Sequence, residues 1–362
     1  MSTSSRKIEH LLIVLGKDVE YREKTTLLEC VEILHDPLTD ADFSVDDESF
    51  SRTDFLGFTI SMPFMIGAMT GGHPDTKIVN ELLAKAAEEF RIPIATGSVK
   101  AALRSMGGDP SVADSYIVVK EVAQSVPRIS NLGLEDLIIM NEKGKLEDAL
   151  TEAVDLIDAH AIQIHINPLQ EIVQKGYVKQ RGLEKTLKKI YERSEESGVP
   201  VIIKEVGSGF SPASLNKLVG LGFKRVDVEG AGGTSRAKVE EYRGGYAGPY
   251  AERGIPTAAS IIYAVRAGMN VIAGGGIRNG LDVVKSLILG AHLAAAALRV
   301  LRALFPKRTL EPDYENLRDF LTKMAHEIRM GIFLSGARNV NELRLRQNYV
   351  IKPPLIYYLQ RT

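Results

Sequence analysis

Cysteine is almost absent from this sequence: its 362 residues carry one, Cys30. A single thiol excludes an intramolecular disulfide and a cysteine-based zinc site, and it fits a reducing, cytoplasmic setting. Net charge is nearly absent too, with 45 Lys and Arg against 46 Asp and Glu for a formal balance of −1. Such a chain has no bulk field to draw nucleic acid or a membrane surface, so an anionic ligand must be met by local donors. Long apolar runs are missing. The most apolar late stretch, Ala291 to Phe305, is broken by Arg299 and Arg302 and is too short and charged to span a bilayer. Met1 to His10 has no apolar core and does not read as a signal peptide. No low-complexity tract or linker-like shift in composition divides the chain.

What remains is the mix of an ordinary soluble domain, 44% apolar and 25% charged. The length allows two average domains or one barrel with extensions, and it buries a core without staples. Short β-branched or apolar runs alternate with longer segments of helical period, the pattern of parallel βαβ units. Eight strands are predicted: Phe64–Met69, Ile92–Thr96, Ile129–Leu132, Ala161–Ile166, Pro200–Val206, Arg225–Glu229, Asn270–Ala273 and Ala291–Leu298. In the helix predicted over Thr76–Phe90, the residues Ile78, Val79, Leu82, Leu83, Ala86 and Phe90 share one face. A second helix is predicted over Asn279–Leu289, capped by Asn279 and ended by Gly290, with Leu281, Val284, Leu287 and Ile288 inward.

Eight strands with interposed helices predict a single α/β domain, a (β/α)8 TIM barrel over residues 61–305. Residues 1–60 form an N-terminal extension and 306–362 a C-terminal helical extension, with Asp313–Met330 packing outside the barrel or between subunits. A doubly wound sheet competes, but its glycine fingerprint after the first strand is missing.

The unusual residues all follow strands. They are Met69-Thr-Gly-Gly72, Gly97-Ser-Val-Lys100, Asn131-Leu-Gly133, His165-Ile-Asn-Pro-Leu-Gln-Glu171, Lys204-Glu205, Gly230-Ala-Gly-Gly-Thr-Ser235 and Gly274-Gly-Gly-Ile-Arg278. The C-terminal face of a barrel is where active sites are built. Gly274 to Arg278 before a helix has the parts of a phosphate site, since glycines admit backbone N–H groups and the helix dipole favours an anion. Gly230 to Ser235 adds a second such loop with Thr234 as hydroxyl donor; the alternative is that both are only tight turns. Lys204 lies inside an apolar strand and should face the mouth toward an anion or an electron-rich ring. Pairing with Glu205 is the alternative, but adjacent strand residues face opposite ways. His165, Asn167 and Gln170 place hydrogen-bonding groups for a substrate or its phosphates, and Glu171 offers a carboxylate to a hard cation. His10 stays ambiguous, while Arg6 and Lys7 alone read as solvated charge.

With those residues assembled, the sequence resembles the type 2 isopentenyl-diphosphate isomerases over nearly its whole length. The shared segments are Arg6-Lys-Ile-Glu-His10, Lys24-Thr-Thr-Leu-Leu-Glu29, Ala68-Met-Thr-Gly-Gly72, Asn131-Leu-Gly133, His165 to Glu171, Gly232-Gly-Thr234, Gly254-Ile-Pro-Thr-Ala-Ala-Ser260 and Gly275-Gly-Ile-Arg278. The Ala-Met-Thr-Gly-Gly and His-x-Asn-Pro-x-Gln-Glu segments are specific; Gly-Gly-Ile-Arg occurs in many FMN barrels.

The resemblance implies an enzyme of reduced FMN that interconverts isopentenyl and dimethylallyl diphosphates without net redox change. NADPH would reduce the flavin and Mg2+ would bind the diphosphate. The enzyme would be a cytoplasmic homo-oligomer, a tetramer or octamer. It implies FMN contacts from Ala68, Met69, Thr70, Ser98, Asn131, Lys204, Thr234, Gly276, Ile277, Arg278, Ala297 and Leu298. Gln170, His165 and Asn167 would be catalytic. Arg6, Lys7, Ser98, Lys100 and Gln170 would bind substrate, and Glu171 would hold the metal.

The chain also departs from the family pattern. Val99 and Lys100 stand where Gln-Arg is usual, and Gln174-Lys-Gly-Tyr177 replaces Gln-Pro-Glu-Gly-Asp. Arg236 replaces a tryptophan in a chain that has none, and Gly244 to Arg253 is shortened. Two rivals share the fold. A net oxidoreductase would need a histidine near Glu229–Ser235, or a loop cysteine, and neither is there. A non-enzymatic FMN-binding paralogue is the other.

Overall fold

The computed structural model describes residues 3–360, with side chains from Ile8 onward. Eight parallel strands close into a barrel: β1 (Phe64–Ile66), β2 (Ile94–Ala95), β3 (Arg128–Gly133), β4 (Ala161–His165), β5 (Val201–Lys204), β6 (Arg225–Asp227), β7 (Asn270–Ala273) and β8 (Leu293–Ala296). Each pairs in parallel with the next, and β8 returns to β1 through Ala294 opposite Phe64 and Ala296 opposite Ile66. All eight predicted strands are present, so the chain is a (β/α)8 TIM barrel. Several strands end earlier than predicted, because the chain leaves the ladder where it turns into the loops of the mouth.

Side-chain alternation builds two cores from the same strands. Met65, Ala95, Ile129, Ala161, Ile202, Ile272, Leu293 and Ala295 fill the lumen. Their neighbours in sequence, such as Ile66, Ile162, Ile203 and Val271, pack outward against the helices. The helices Lys77–Glu89 and Gly280–Ile288 lie close to their predicted bounds, and the Asn279 side chain caps the second by accepting from the Asp282 amide at 2.9 Å. Two inward assignments need correction. Ile78 and Leu281 are both 46% exposed. At 100° per residue the buried stripe of the second helix runs through Val283, Val284, Leu287 and Ile288 instead.

The two extensions work on the barrel rather than trailing from it. The hairpin Thr53–Phe55 with Phe58–Ile60 brings Phe55 and Leu56 against the lumen cluster and closes the lower end. Val31–Ile33 pairs antiparallel with Tyr349–Ile351, joining one extension to the other. The helix Tyr314–Leu334 packs on Gly280–Ile288, where a side chain at Gly280 would meet Glu327 Cβ at 2.5 Å. No helix among the described residues is long and apolar enough to cross a membrane.

Candidate active site

The site begins inside the barrel, one layer above its apolar floor. On β4 the lumen-facing positions run Ala161, Gln163, His165, passing from floor to mouth in steps of two. The same phase on β3 and β5 carries Asn131 and Lys204, and on β6 it carries Asp227 followed by Glu229. Lys204 Nζ reaches Asp227 Oδ2 at 2.8 Å and Glu229 Oε1 at 2.5 Å, and Gln163 Nε2 donates to the same Asp227 oxygen at 3.1 Å. Burial opposes the charge on Lys204, yet the two carboxylates outweigh it and hold its pKa above the usual lysine value. Burial pushes Asp227 up to about 6 against the pull of Lys204.

Lys204 thus faces the mouth as expected, but its charge is met by two carboxylates of the protein and not left for a ligand alone. Glu205 faces away, its Oε2 accepting from the amides of Val206 at 2.7 Å and Gly207 at 2.9 Å and also from that of Ser208. Glu229 adopts φ +35°, a strained value for a side-chain-bearing residue, and so presents its carboxylate to Lys204.

The second wall is the turn from β4 into the helix Pro168–Lys175. Proline at the first helical position suits the fixed φ there, and Asn167 sits just ahead of it. One turn places His165, Asn167, Gln170 and Glu171 together. His165 Nδ1 lies 2.8 Å from Asn131 Oδ1, and Gly133 leaves the ring its space, since a Cβ there would come within 3.0 Å of Nε2. Asn167 Nδ2 donates to Gln170 Oε1 and to Glu171 Oε1, both at 3.2 Å.

Gln170 Nε2 donates to Glu240 Oε1 at 2.8 Å, and Arg243 Nη1 lies 3.3 Å from the other oxygen of that carboxylate. Glu240, 1% exposed on the short helix Arg236–Glu241, gave no sign in the sequence of lying near Gln170. Lys175 forms ion pairs with Glu171 and, at 2.9 Å, with Glu135 Oε2. Burial raises the pKa of Glu171, and Lys175 stays charged because its two carboxylates outweigh its own burial.

The third wall is the glycine corner after β6 and β7. Gly275 and Gly276 take φ +97° and +74°, and a Cβ on Gly233 would stand 2.4 Å from the Gly276 amide nitrogen. The two loops therefore touch backbone to backbone, which only glycine permits. Arg278 Nη1 donates to the Gly276 carbonyl at 2.9 Å and Nη2 to the Gly232 carbonyl at 2.7 Å, tying one loop to the other. The two glycine-rich loops are thus stitched together just ahead of the helix Gly280–Ile288, and the space they border also has Glu20 and Glu229 in its lining.

These walls line neighbouring hollows that share residues. A cleft of about 1000 Å³ is lined by Ala68, Met69, Thr70, Ser98, Asn131, His165, Asn167, Gln170, Glu171 and Lys204. It adjoins a space of about 460 Å³ lined by Thr234, Gly276, Ile277, Arg278, Ala297 and Leu298. A third hollow, lined by His10, Met69, Thr234, Ala297 and Leu298, shares residues with both. Arg236 borders all three, with Nη1 2.8 Å from His10 Nε2, and burial lowers its pKa.

Every expected flavin-side residue stands on these walls. Lys100, expected at the substrate, is not among the lining residues; its ammonium pairs with Asp136 at 2.5 Å. Arg6 and Lys7 belong to the helix Thr3–Gly16, but their side chains lie outside the described residues.

A family model for FMN-dependent dehydrogenases matches residues 143–350. The isopentenyl-diphosphate delta-isomerase of Methanococcus maripaludis is 37% identical over 98% of this chain and 97% of its own length. That of Methanosarcina barkeri is 39% identical, covering 95% and 91%. The chain belongs to the FMN-dependent, type 2 isopentenyl-diphosphate delta-isomerase family. It is an isomerase by that membership, on a barrel shared with enzymes of other activity. Mandelate oxidase with benzoyl-formic acid superposes with a TM-score of 0.62 at 16% identity, covering 95% of this isomerase chain and 94% of the oxidase. Flavocytochrome b2 with sulfite bound gives 0.64 at 14% identity, covering 98% and 84%. Identities this low speak for the fold alone.

Proposed function

We propose that this chain interconverts isopentenyl and dimethylallyl diphosphates with reduced FMN as its acid–base cofactor. One observation carries the reading: a space bordered by the glycine loops and a cleft walled by imidazole and amide groups both have Arg236 in their lining, so a phosphate end and an alkene end can lie side by side. The residues present fit FMN, because Gly233, Gly275 and Gly276, packed too closely for any Cβ, border a space with Thr234 and Arg278 at its edge. Met69, Thr70, Ala297 and Leu298 would hold its ring together with Ala68, Asn131 and Lys204, and Thr234 and Ile277 would hold its phosphate. Bound there, reduced FMN supplies the proton-transfer chemistry that side chains perform poorly on an unactivated alkene. NADPH is the proposed reductant.

The chain's own groups position and exclude. Asn131 fixes the His165 ring through Nδ1, at the edge of the cleft where an imidazole can hydrogen-bond a substrate. Glu240 and Asn167 hold both ends of the Gln170 amide, so Gln170 is fixed to contact the substrate and orient its alkene for proton transfer. Ser98, Arg6 and Lys7 are the proposed contacts of the diphosphate. Lys100, held by Asp136, would join them only by leaving that pair.

A Mg2+ ion on Glu171 does not fit this arrangement. That carboxylate already accepts from Asn167 and pairs with Lys175, so a metal there would have to displace the ammonium. No step is assigned to the metal. A homo-oligomer, tetrameric or octameric, and a cytoplasmic location complete the proposal.

The test is turnover. FMN-loaded protein, reduced anaerobically by NADPH, should convert isopentenyl diphosphate to dimethylallyl diphosphate while the flavin stays reduced. Substrate conversion matched by stoichiometric flavin oxidation would put a net oxidoreductase in its place.

A further inference from the structure

Cations that line a cleft need counter-charges, from the protein or from a ligand. Among the described residues, Lys204, Arg236 and Arg243 are the Lys and Arg side chains in the lining. Lys204 is met by Asp227 and Glu229, and Arg243 by Glu240 and Glu9. Arg236 enters no ion pair with a described carboxylate. Glu229, Glu240 and Glu205 act on it only from a distance, and burial costs its charge more than they return. A guanidinium stays charged even so. Its Nη1 donates to His10 Nε2 at 2.8 Å; its other N–H groups have no hydrogen-bond partner among the described residues, yet they are not sealed in by protein. The base of the side chain is held firmly. The Ser235 amide donates to the Val19 carbonyl at 2.8 Å, and the Ser235 hydroxyl to the Ala251 carbonyl at 2.7 Å. Contact with His10 also gives the guanidinium a direction, since His10 lines the cleft and the third hollow but not the space beside the glycine loops.

We propose that the Arg236 guanidinium binds the diphosphate of the substrate, as a binding residue at a position where the family pattern has tryptophan. The inference rests on the diphosphate reading of the site, not on the identity of the prenyl group. An arginine fork can give two parallel hydrogen bonds to one phosphate, a geometry that lysine cannot match. Lys100, the basic group expected on the substrate side, is engaged with Asp136 and absent from the lining. Arg236, from the loop after β6, supplies the positive charge that position 100 withholds.

The experiment is calorimetric titration of the FMN-loaded protein with inorganic pyrophosphate at fixed Mg2+. Arg236→Gln and Arg236→Trp, two charge-free side chains of different shape, should each bind at least about tenfold more weakly than wild type, with Arg236→Lys between. Flavin absorbance and circular dichroism report whether each variant is loaded and folded, and the second charge-free variant keeps the comparison if the first does not fold. In turnover of isopentenyl diphosphate the same loss should appear as a raised KM with a smaller change in kcat. The inference is overturned if a folded, loaded charge-free variant binds pyrophosphate as wild type does, if Arg236→Lys is no better than Arg236→Gln, or if no form binds it at all. A folded Arg236→Gln that cannot retain FMN would also overturn it, giving the guanidinium to the flavin phosphate. Pyrophosphate binding that depends on Arg236, without turnover of isopentenyl diphosphate, would leave this inference standing and remove the substrate assignment.

Discussion

At the scale of residues, the account turns on charges and amides that are held before any ligand arrives. Gln170 is clamped between Asn167 and Glu240, so Gln170→Ala should lower kcat by about 100-fold while leaving FMN affinity unchanged, as flavin fluorescence titration would show. Lys204 neutralises two carboxylates in the lumen. Lys204→Met strands Asp227 and Glu229 there and should cost about 3–5 kcal/mol in chemical denaturation.

Glu205 behaves differently because burial raises its pKa to about 7, despite three backbone amides that favour the charged form. A raised carboxyl contributes stability that is complete below its ordinary value of 4.5 and lost as pH rises through about 7. The contribution at stake is about 3 kcal/mol. Glu205→Gln should therefore flatten the fall in melting temperature between those two pH values. A variant as steep as wild type would show that another group carries the dependence.

Among the elements, the strands were legible because lumen and helix side each demand an apolar residue every second position. Their ends were not, since the residues that close a strand also open the loops. Lys204 could be read from its place in Val201 to Lys204, whereas its partners needed a closer look at Val226-Asp-Val-Glu229, where two acids alternate with valines. Glu240 and Lys175 were out of reach: each sits on a polar helix whose sequence carries no record of what lies opposite. Arg278 could be read only as a generic donor, because its carbonyl partners belong partly to a loop 46 residues earlier. The glycine corner is the element most open to test. Gly233→Ala drives a methyl against the Gly276 amide and should abolish FMN retention on gel filtration, with the barrel's circular dichroism intact.

For the whole molecule, closure of the barrel leaves one end for chemistry. The hairpin at 53–60 seals the other with Phe55 and Leu56, and the paired strands at 31–33 and 349–351 join the extensions that a strand-and-helix reading left as appendages. Pattern alone could not show this, because a short hairpin plugging a lumen and one lying free have the same alternation. The fold is shared with oxidases, so what separates an isomerase from them lies in the residues of the mouth.

The measurement that addresses this most directly is turnover of isopentenyl diphosphate in deuterated water by the anaerobically reduced, FMN-loaded protein. The account predicts dimethylallyl diphosphate carrying solvent deuterium at its newly formed methyl group, with no net consumption of NADPH. Product free of deuterium, or fully loaded flavin with no turnover, would contradict it.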